Sequence, residues 1–576
     1  MRREMWPPIA LTVLCYLVIG GIQVNRWHEQ GAPWWLLITG AVLVGGALVA
    51  AGVWWWHKVR DLSAEQKMRD VRKLDDYTGK GAAQKGLDLR QSLEDSEIRD
   101  VAMDELAVSL GRVGRTILYK SWEDVCLAFM GPRSNKTSAI AVPTVLKAPG
   151  PVVATSNKPD LWMLTSGLRA RVGRVYTFDP SQIAYVPQQW WWNPLAGITD
   201  IDDAEDFAAQ FVMTVSAGER DIWGPGAKSL LGQLFLAASI SGGTLREAMA
   251  WLYTGSSEPV GILEKGGHLM QAAKLATTLE GAAETRSGLV MTASEAVSCL
   301  ASEKVLRWVT PPQTWRERPT HTIEEIDLWQ FVTPHPDGRY PTLYLLTQEG
   351  AGSAGPIVAA LVDRLFKTAK KAASALGGRL DPVLTVMLDE AANICRIANL
   401  PAYYSWFGSV GVSVTTLLQS YAQGEGVWSK TGMETLYSAS TLNLIGAGIK
   451  DISFARTMSA SVGEHLVKRA TESYGPGGSS TSVSQVREAI MPPEDVINLP
   501  RTKAVWHVTG HRPVLMDLMP WYREDSQAEI TTHSKQAAEQ IRLHAIEALG
   551  PDNPISQYLT GKAKPVTAAA TEVELL

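Results

Sequence analysis

The sequence predicts an α/β protein with a mostly parallel sheet behind an N-terminal membrane hairpin. Three observations predict it. Short apolar, β-branched runs alternate with longer helix-permissive segments. One of them, Val125 to Phe129, leads into Met130-Gly131-Pro132-Arg133-Ser134-Asn135-Lys136-Thr137-Ser138, a phosphate-loop pattern opening a helix. Another, Val383 to Leu388, ends in the carboxylate pair Asp389-Glu390.

The chain has 576 residues, which allows several domains, and a net charge of −5 argues against a polycation. Four scattered cysteines, with no C-x-x-C pair, point away from a disulfide framework or a zinc site. Trp6 to Val24 and Ala32 to Trp56 carry no charge. Each is long enough to cross a hydrocarbon core ~30 Å thick at ~1.5 Å per helical residue. Arg2 and Arg3 precede the first run, and Lys58, Arg60, Lys67, Arg69, Arg72 and Lys73 follow the second. The linker between them has only Arg26 and His28 as basic residues. This asymmetry predicts a two-pass plasma-membrane protein with both termini cytoplasmic. A cleaved signal peptide fits less well, because no small-residue cleavage site precedes the second run. The hairpin is therefore assigned to 1–57, with helices at 6–24 and 32–56.

Residues 58–115 are polar, charged and interrupted by glycine, and read as a mostly helical juxtamembrane linker. A first part of the nucleotide-binding domain spans 116–198, with strands near 125–129, 151–155 and 174–178. Trp190-Trp191-Trp192 could stack on bases, although packing in the core is the commoner role of such residues. Residues 199–310 repeat apolar positions at helical spacing (Phe207, Phe211 and Val215; Leu230, Leu231, Leu234 and Phe235), which predicts an all-helical insertion. A second part of the nucleotide-binding domain spans 311–525, with strands near 342–346, 383–388, 412–418, 442–445 and 504–508. Glu349 to Pro356 is glycine-rich but lacks a following Lys-[ST], so it reads as a strand-to-helix turn. Ser473 to Ser484 reads as a mobile loop. Residues 526–576 read as a C-terminal helix and a disordered tail.

The chemistry lies at the strand ends. Loop N–H groups and a helix start attract a phosphate. Lys136 would reach the β/γ-phosphates, and the Thr137 hydroxyl would take a Mg²⁺ position. The pattern departs from G-x-x-x-x-G-K-[ST], with Met130 and Asn135 at the glycine positions; Asn tolerates the left-handed conformation needed there. Asp389 would hold the metal and Glu390 would activate the attacking water. Gln419, ending the run 412–418, would sense the γ-phosphate. Gly131, Pro132, Arg133, Ser134, Asn135, Lys136, Thr137 and Ser138 are thus the candidate nucleotide-binding residues. Lys136, Glu390 and Gln419 are the candidate catalytic residues, and Thr137 and Asp389 the candidate metal ligands, with ATP and Mg²⁺ as cofactors.

These words carry a family resemblance. The loop at 131–137, Ala154-Thr155-Ser156-Asn157-Lys158, Trp192-Asn193-Pro194-Leu195, Leu388-Asp389-Glu390-Ala391-Ala392-Asn393, Leu417-Leu418-Gln419-Ser420 and Leu499-Pro500 resemble the type IV coupling proteins, the TraG/TraD-like conjugative ATPases, in an actinobacterial form. The resemblance runs from about Ser121 to Trp521. It implies a RecA-like P-loop NTPase with a helical insertion, assembled as a membrane-bound hexamer. It further implies that relaxase-bound single-stranded DNA, or protein cargo, is brought to a type IV secretion or conjugation channel. Two departures stand against it. Asn135 replaces the glycine before the lysine, and Phe407 to Val412 lacks the arginine that members carry after the Asp-Glu motif; Arg396 or Arg456 could substitute for it. These departures keep open a docking receptor that binds nucleotide and barely hydrolyses it. An FtsK-like double-stranded DNA translocase would share the same motifs.

Overall fold

In the computed structural model, residues 33, 64–215, 223–319, 321–350, 352–475 and 478–561 are described. Apart from Pro33, the expected spans 6–24 and 32–56 lie outside them, as does the tail 562–576. Among the described residues no helix is long and apolar enough to cross a membrane. Met1–Lys67 forms one unit, described only at Pro33 and in helix Ala64–Lys67, and Met68–Leu576 forms the other.

The second unit is organised by one sheet. Its strands, in chain order, are β1 (Ala107–Val113), β2 (Thr116–Ser121), β3 (Cys126–Phe129), β4 (Val152–Ser156), β5 (Val175–Phe178), β8 (Thr342–Leu346), β9 (Leu384–Leu388), β10 (Val412–Leu418), β11 (Leu442–Gly446), β14 (Lys503–Val508) and β15 (Val514–Leu518). Two short strands, β6 (Trp190–Trp191) and β7 (Glu324–Glu325), pair with each other, as do the long strands β12 (Glu464–Gly475) and β13 (Gly478–Ala489).

The eleven strands lie in the order β2-β1-β15-β14-β11-β3-β10-β9-β4-β8-β5. From β11 to β5 every pairing is parallel. These strands are covered on both faces, so they read as continuous apolar runs rather than alternating ones. All residues of β3, β9 and β10 are buried. Burying one Val, Leu, Ile or Phe side chain contributes ~1.5–3 kcal/mol, so this layer supplies much of the stability. Leu418 pairs with Phe129, Thr416 with Leu388, and Thr155 with Leu388. The carboxyl ends of β3, β10, β9 and β4 therefore meet along one rim, where ligands of such sheets bind.

The sheet extends further than the sequence suggests. Within the stretch 58–115, expected as a linker, residues from Leu74 to Val113 contribute to the core. Leu74, Tyr77, Leu110 and Val113 are buried with Trp506 and Met516, and 107–113 is strand β1. Strands β1, β2 and β15 escape sequence reading because they are antiparallel and mix polar residues with apolar ones. Gly111 lets β1 approach β15, since a Cβ there would run into the Met516 sulfur. Of the glycine- and serine-rich stretch 473–484, expected as a loop, Ser473–Gly475 and Gly478–Ser484 lie in β12 and β13, which pair in register from Glu464↔Ala489 to Gly475↔Gly478.

Between Thr199 and Thr310 the described residues contain helices and no strand. Helices Ile201–Val212 and Gly224–Ile240 pack through Phe207, Phe211 and Phe235, with Phe207–Phe235 centroids 4.9 Å apart. The Asp200 carboxylate accepts from the Asp203 N–H and caps the first of them. Trp190, Trp191 and Trp192 are buried, and Trp190 stacks edge-on to Trp308 with centroids 5.4 Å apart. The triple tryptophan is therefore core packing and offers no base-stacking surface.

Candidate active site

The phosphate-loop candidate begins where β3 ends. The Met130 N–H donates to Leu418 O and the Gly131 N–H to Ala447 O, each at 2.9 Å, tying the loop's entry to the ends of both flanking strands. Gly131 is required there, because a Cβ would collide with the Gly448 backbone. Inside the loop, Ser134 is buried and its hydroxyl donates to Gly131 O at 2.6 Å. Arg133 and Asn135 both have left-handed backbones, with φ of 58° and 68°. Alternation of left- and right-handed residues turns successive N–H groups inward, the geometry of an anion nest. Asn135 does more than tolerate the position: its Nδ2 donates to Arg501 O at 3.0 Å. A π-helical turn, Thr137–Ala141, follows and continues as helix Val142–Leu146. Pro132 and Arg133 are exposed, while Thr137 and Ser138 are half-buried in the first helical turn.

Strand β9 delivers the carboxylates. Asp389 is buried, and the Thr155 hydroxyl donates to its backbone carbonyl at 2.9 Å. Burial pushes the Asp389 carboxyl above the usual range, and Lys136 opposes that rise. Lys136 Nζ lies 3.2 Å from Asp389 Oδ1 and pairs with Glu390 Oε1. Burial alone would lower the Lys136 pKa, but the two carboxylates outweigh it and hold it above its ordinary value. Asp389 Oδ1 has this ion-pair contact and no hydrogen bond of good geometry. Glu390 sits in the left-handed region at φ 56°, a strained conformation for a residue with a side chain.

Strand β10 lies between β3 and β9, and its end supplies Gln419, whose Nε2 donates to Glu390 Oε2 at 2.7 Å. Lys136, Asp389, Glu390 and Gln419 are thus in one another's reach. Sequence reasoning gave no role to four further residues of this rim. Asn393 Nδ2 donates to Glu390 Oε2 at 3.0 Å and to Glu349 Oε1 at 2.8 Å. Asn157 Nδ2 donates to the same Glu349 oxygen at 2.7 Å, and Gln423 Nε2 donates to Asn393 Oδ1 at 2.6 Å. The signal for Gln423 was an amide one helical turn after Gln419, which means nothing until a helix is known to start at Tyr421. Neither substitute arginine is close-packed against the carboxylates: Arg396 Nε donates to Ala392 O at 2.7 Å, and Arg456 is exposed on helix Ile452–Val462.

Two family models match the chain. One, described as type IV secretory system conjugative DNA transfer, covers 92–310. The other, the TraM recognition site of TraD and TraG, covers 383–501. Among solved structures, an unbound form of the bacterial conjugative coupling protein TrwB, lacking its N-terminal 70 residues, is similar at a TM-score of 0.51. It is 19% identical over 69% of this chain and 85% of that one. Two further TrwB structures, one with a non-hydrolysable ATP analogue and one with ADP and Mg²⁺, each match at a TM-score of 0.50 and 19% identity, over 69% of this chain and 86% of theirs. At that identity the likeness concerns the fold. A comparison with the curated proteins finds no match. The two models together span more than half of the chain and take in both the phosphate-loop and the Asp-Glu strands; the chain belongs to the type IV coupling proteins, the TraG/TraD-like family.

Proposed function

We propose that this protein is a membrane-anchored coupling ATPase of conjugative DNA transfer, moving single-stranded DNA with its relaxase, or a protein cargo, into a type IV secretion channel. The observation that carries it is the meeting of Lys136 with Asp389 and Glu390 at adjoining strand ends, behind a loop with two left-handed residues. The site suits Mg²⁺-ATP. Asp389 is a buried carboxylate with one oxygen lacking a hydrogen bond, which suits a metal held directly or through water. The fold's TrwB relatives include structures with an ATP analogue and with ADP and Mg²⁺.

In this reading the Lys136 ammonium leaves the carboxylates for the β/γ-phosphates. The loop N–H groups cradle the same phosphates, and Thr137 and Asp389 hold the metal. Mg²⁺, when bound, neutralises charge developing on the transferred phosphoryl group. Departure of Lys136 frees Glu390 Oε1 to take the proton of the attacking water. Gln419, bonded to the other oxygen of Glu390, reports whether that carboxylate is engaged. The sequence spans 6–24 and 32–56 support an inner-membrane anchor with cytoplasmic termini, and the family supports a hexameric assembly.

The test is ATP turnover by the full-length protein in lipid or detergent. Lys136→Ala should lower it at least about 100-fold, and single-stranded DNA should stimulate the wild type. Unchanged turnover in Lys136→Ala overturns the reading. A second reading, a nucleotide-binding docking receptor with little hydrolysis, is favoured by the absence of arginine from Phe407 to Val412. Tight ATP binding with negligible DNA-stimulated turnover would select it. Stimulation by double-stranded and not single-stranded DNA would select an FtsK-like translocase.

A further inference from the structure

The carboxylate assigned to water activation sits in a closed hydrogen-bond circuit that the scheme above does not use. Glu390 Oε2 accepts from Gln419 Nε2 at 2.7 Å and from Asn393 Nδ2 at 3.0 Å. Asn393 Oδ1 accepts from Gln423 Nε2 at 2.6 Å, and Gln423 Oε1 accepts from the Gln419 backbone N–H at 3.0 Å. The path therefore returns to Glu390. The second Asn393 amide hydrogen leaves the circuit and goes to Glu349 Oε1 at 2.8 Å, which also accepts from Asn157 Nδ2 at 2.7 Å.

The bonding determines each amide's orientation. Asn393 turns both of its N–H bonds toward carboxylates and its oxygen toward an amide donor. Flipping it would aim a carbonyl oxygen at Glu390 and Glu349 and face two N–H groups together, a loss at every contact. Glu390 needs such support, because its left-handed backbone persists only where its surroundings hold it. Lys136 supplies part of that support and is the group that a triphosphate draws away. What then remains on Glu390 is the pair of amides on Oε2.

We propose that Asn393 is the positioning residue for Glu390, clamped from one side by Gln423 and from the other by Glu349, which ties it to Asn157 at the end of β4. The clamp keeps Oε2 occupied, so Oε1 is the oxygen presented to water once Lys136 has moved. This rests on the ATPase reading. Asn393 acts through Glu390 and has no contact with nucleotide in the scheme.

The experiment measures kcat and KM for ATP on the full-length protein, with Mg²⁺. Asn393→Ala should lower kcat about 10–100-fold, the scale of a misplaced catalytic group, with KM changed less than about threefold. Asn393→Asp keeps the shape of the side chain but puts an oxygen where the amide donor faced Glu390 Oε2, so kcat should fall at least as far as in Asn393→Ala, which a merely space-filling asparagine would not cause. Glu349→Ala should cost less than Asn393→Ala, and Glu349→Gln, which keeps an acceptor oxygen, should recover part of that loss. The double variant Asn393→Ala/Glu349→Ala should be no slower than Asn393→Ala, since Glu349 works through Asn393. Wild-type kcat in Asn393→Ala, wild-type kcat in Asn393→Asp, or additive losses in the double variant would each overturn the proposal. If Lys136→Ala is inactive while Asn393→Ala turns over normally, this inference alone fails. If Lys136→Ala hydrolyses like the wild type, the ATPase reading fails and takes this one with it.

Discussion

At the scale of the residue, Asn135 shows how a departure from a motif can be a local solution. The position demands a left-handed backbone, which glycine meets without strain and asparagine meets at small cost. Asparagine adds what glycine cannot, a side-chain bond to the Arg501 carbonyl, worth ~0.5–1.5 kcal/mol. Asn135→Gly should therefore stay within ~1 kcal/mol of wild-type stability and keep ATP binding. Asn135→Ala loses the bond and keeps the strain, so it should destabilise by ~1–3 kcal/mol and weaken ATP binding. Denaturant midpoints and nucleotide titration on the two variants check this, and equal behaviour would refute it. Lys136 and Asp389 were legible in the sequence because strand, loop and helix are contiguous, and because the chemistry of a triphosphate asks for a cation and an acid. Asn393, Gln423 and Glu349 were not, because an amide's role depends on which groups lie across a gap between strand ends.

At the scale of the element, the central strands announced themselves. Burial on both faces leaves no polar residue to interrupt β3, one (Thr385) in β9, and only Ser413, Thr415 and Thr416 in β10. Of the antiparallel flank only β14 was legible, as the run 504–508; β1, β2 and β15 mix polar residues with apolar ones. β14 carries apolar Ala504, Val505 and Trp506 in succession, and His507 after them is half-buried. Burial depresses the His507 pKa below its ordinary value, and its Nδ1 is buried without a hydrogen-bond partner. A group whose folded pKa is lowered binds its proton more readily in the unfolded chain. Stability contributed by neutral His507 is therefore present above the unfolded value, about 6.5, and is lost as pH falls through and below it. The unfolding midpoint should drop between about pH 7.5 and pH 5, and His507→Gln should reduce that drop. An identical pH dependence in the variant would show that other groups carry it.

At the scale of the molecule, the helical insertion is seated on the nucleotide core by a few polar contacts. Lys367 Nζ bonds Asp206 Oδ2 at 2.5 Å, and Gln210 Oε1 accepts from the Ala398 N–H at 3.0 Å. Gln210 is fully buried on helix Ile201–Val212, and Ala398 lies in the segment that follows the Asp-Glu pair. This contact joins the insertion to the chain that leaves Asp389 and Glu390. Gln210→Leu keeps most of the volume but strands the Ala398 N–H, at ~1–3 kcal/mol. Hydrogen exchange should rise across 391–400 while the central strands stay protected. A uniform rise, or none, would refute a local seating role.

The sequence by itself determined the membrane-length spans, the order of the parallel strands' segments, the helical insertion and the loop and strand that carry the charged groups. These are contiguous patterns, read over a few residues at a time, and local periodicity or a motif is enough to set them. Tertiary structure alone decided that β10 stands between β3 and β9, and that residues 107–121 and 514–518 extend the sheet. It also decided that three tryptophans are core, and that Gln419, from the end of β10, reaches Glu390 Oε2. Each of those depends on groups far apart in the chain, whose pairing is settled by burial and register rather than by what lies next to them.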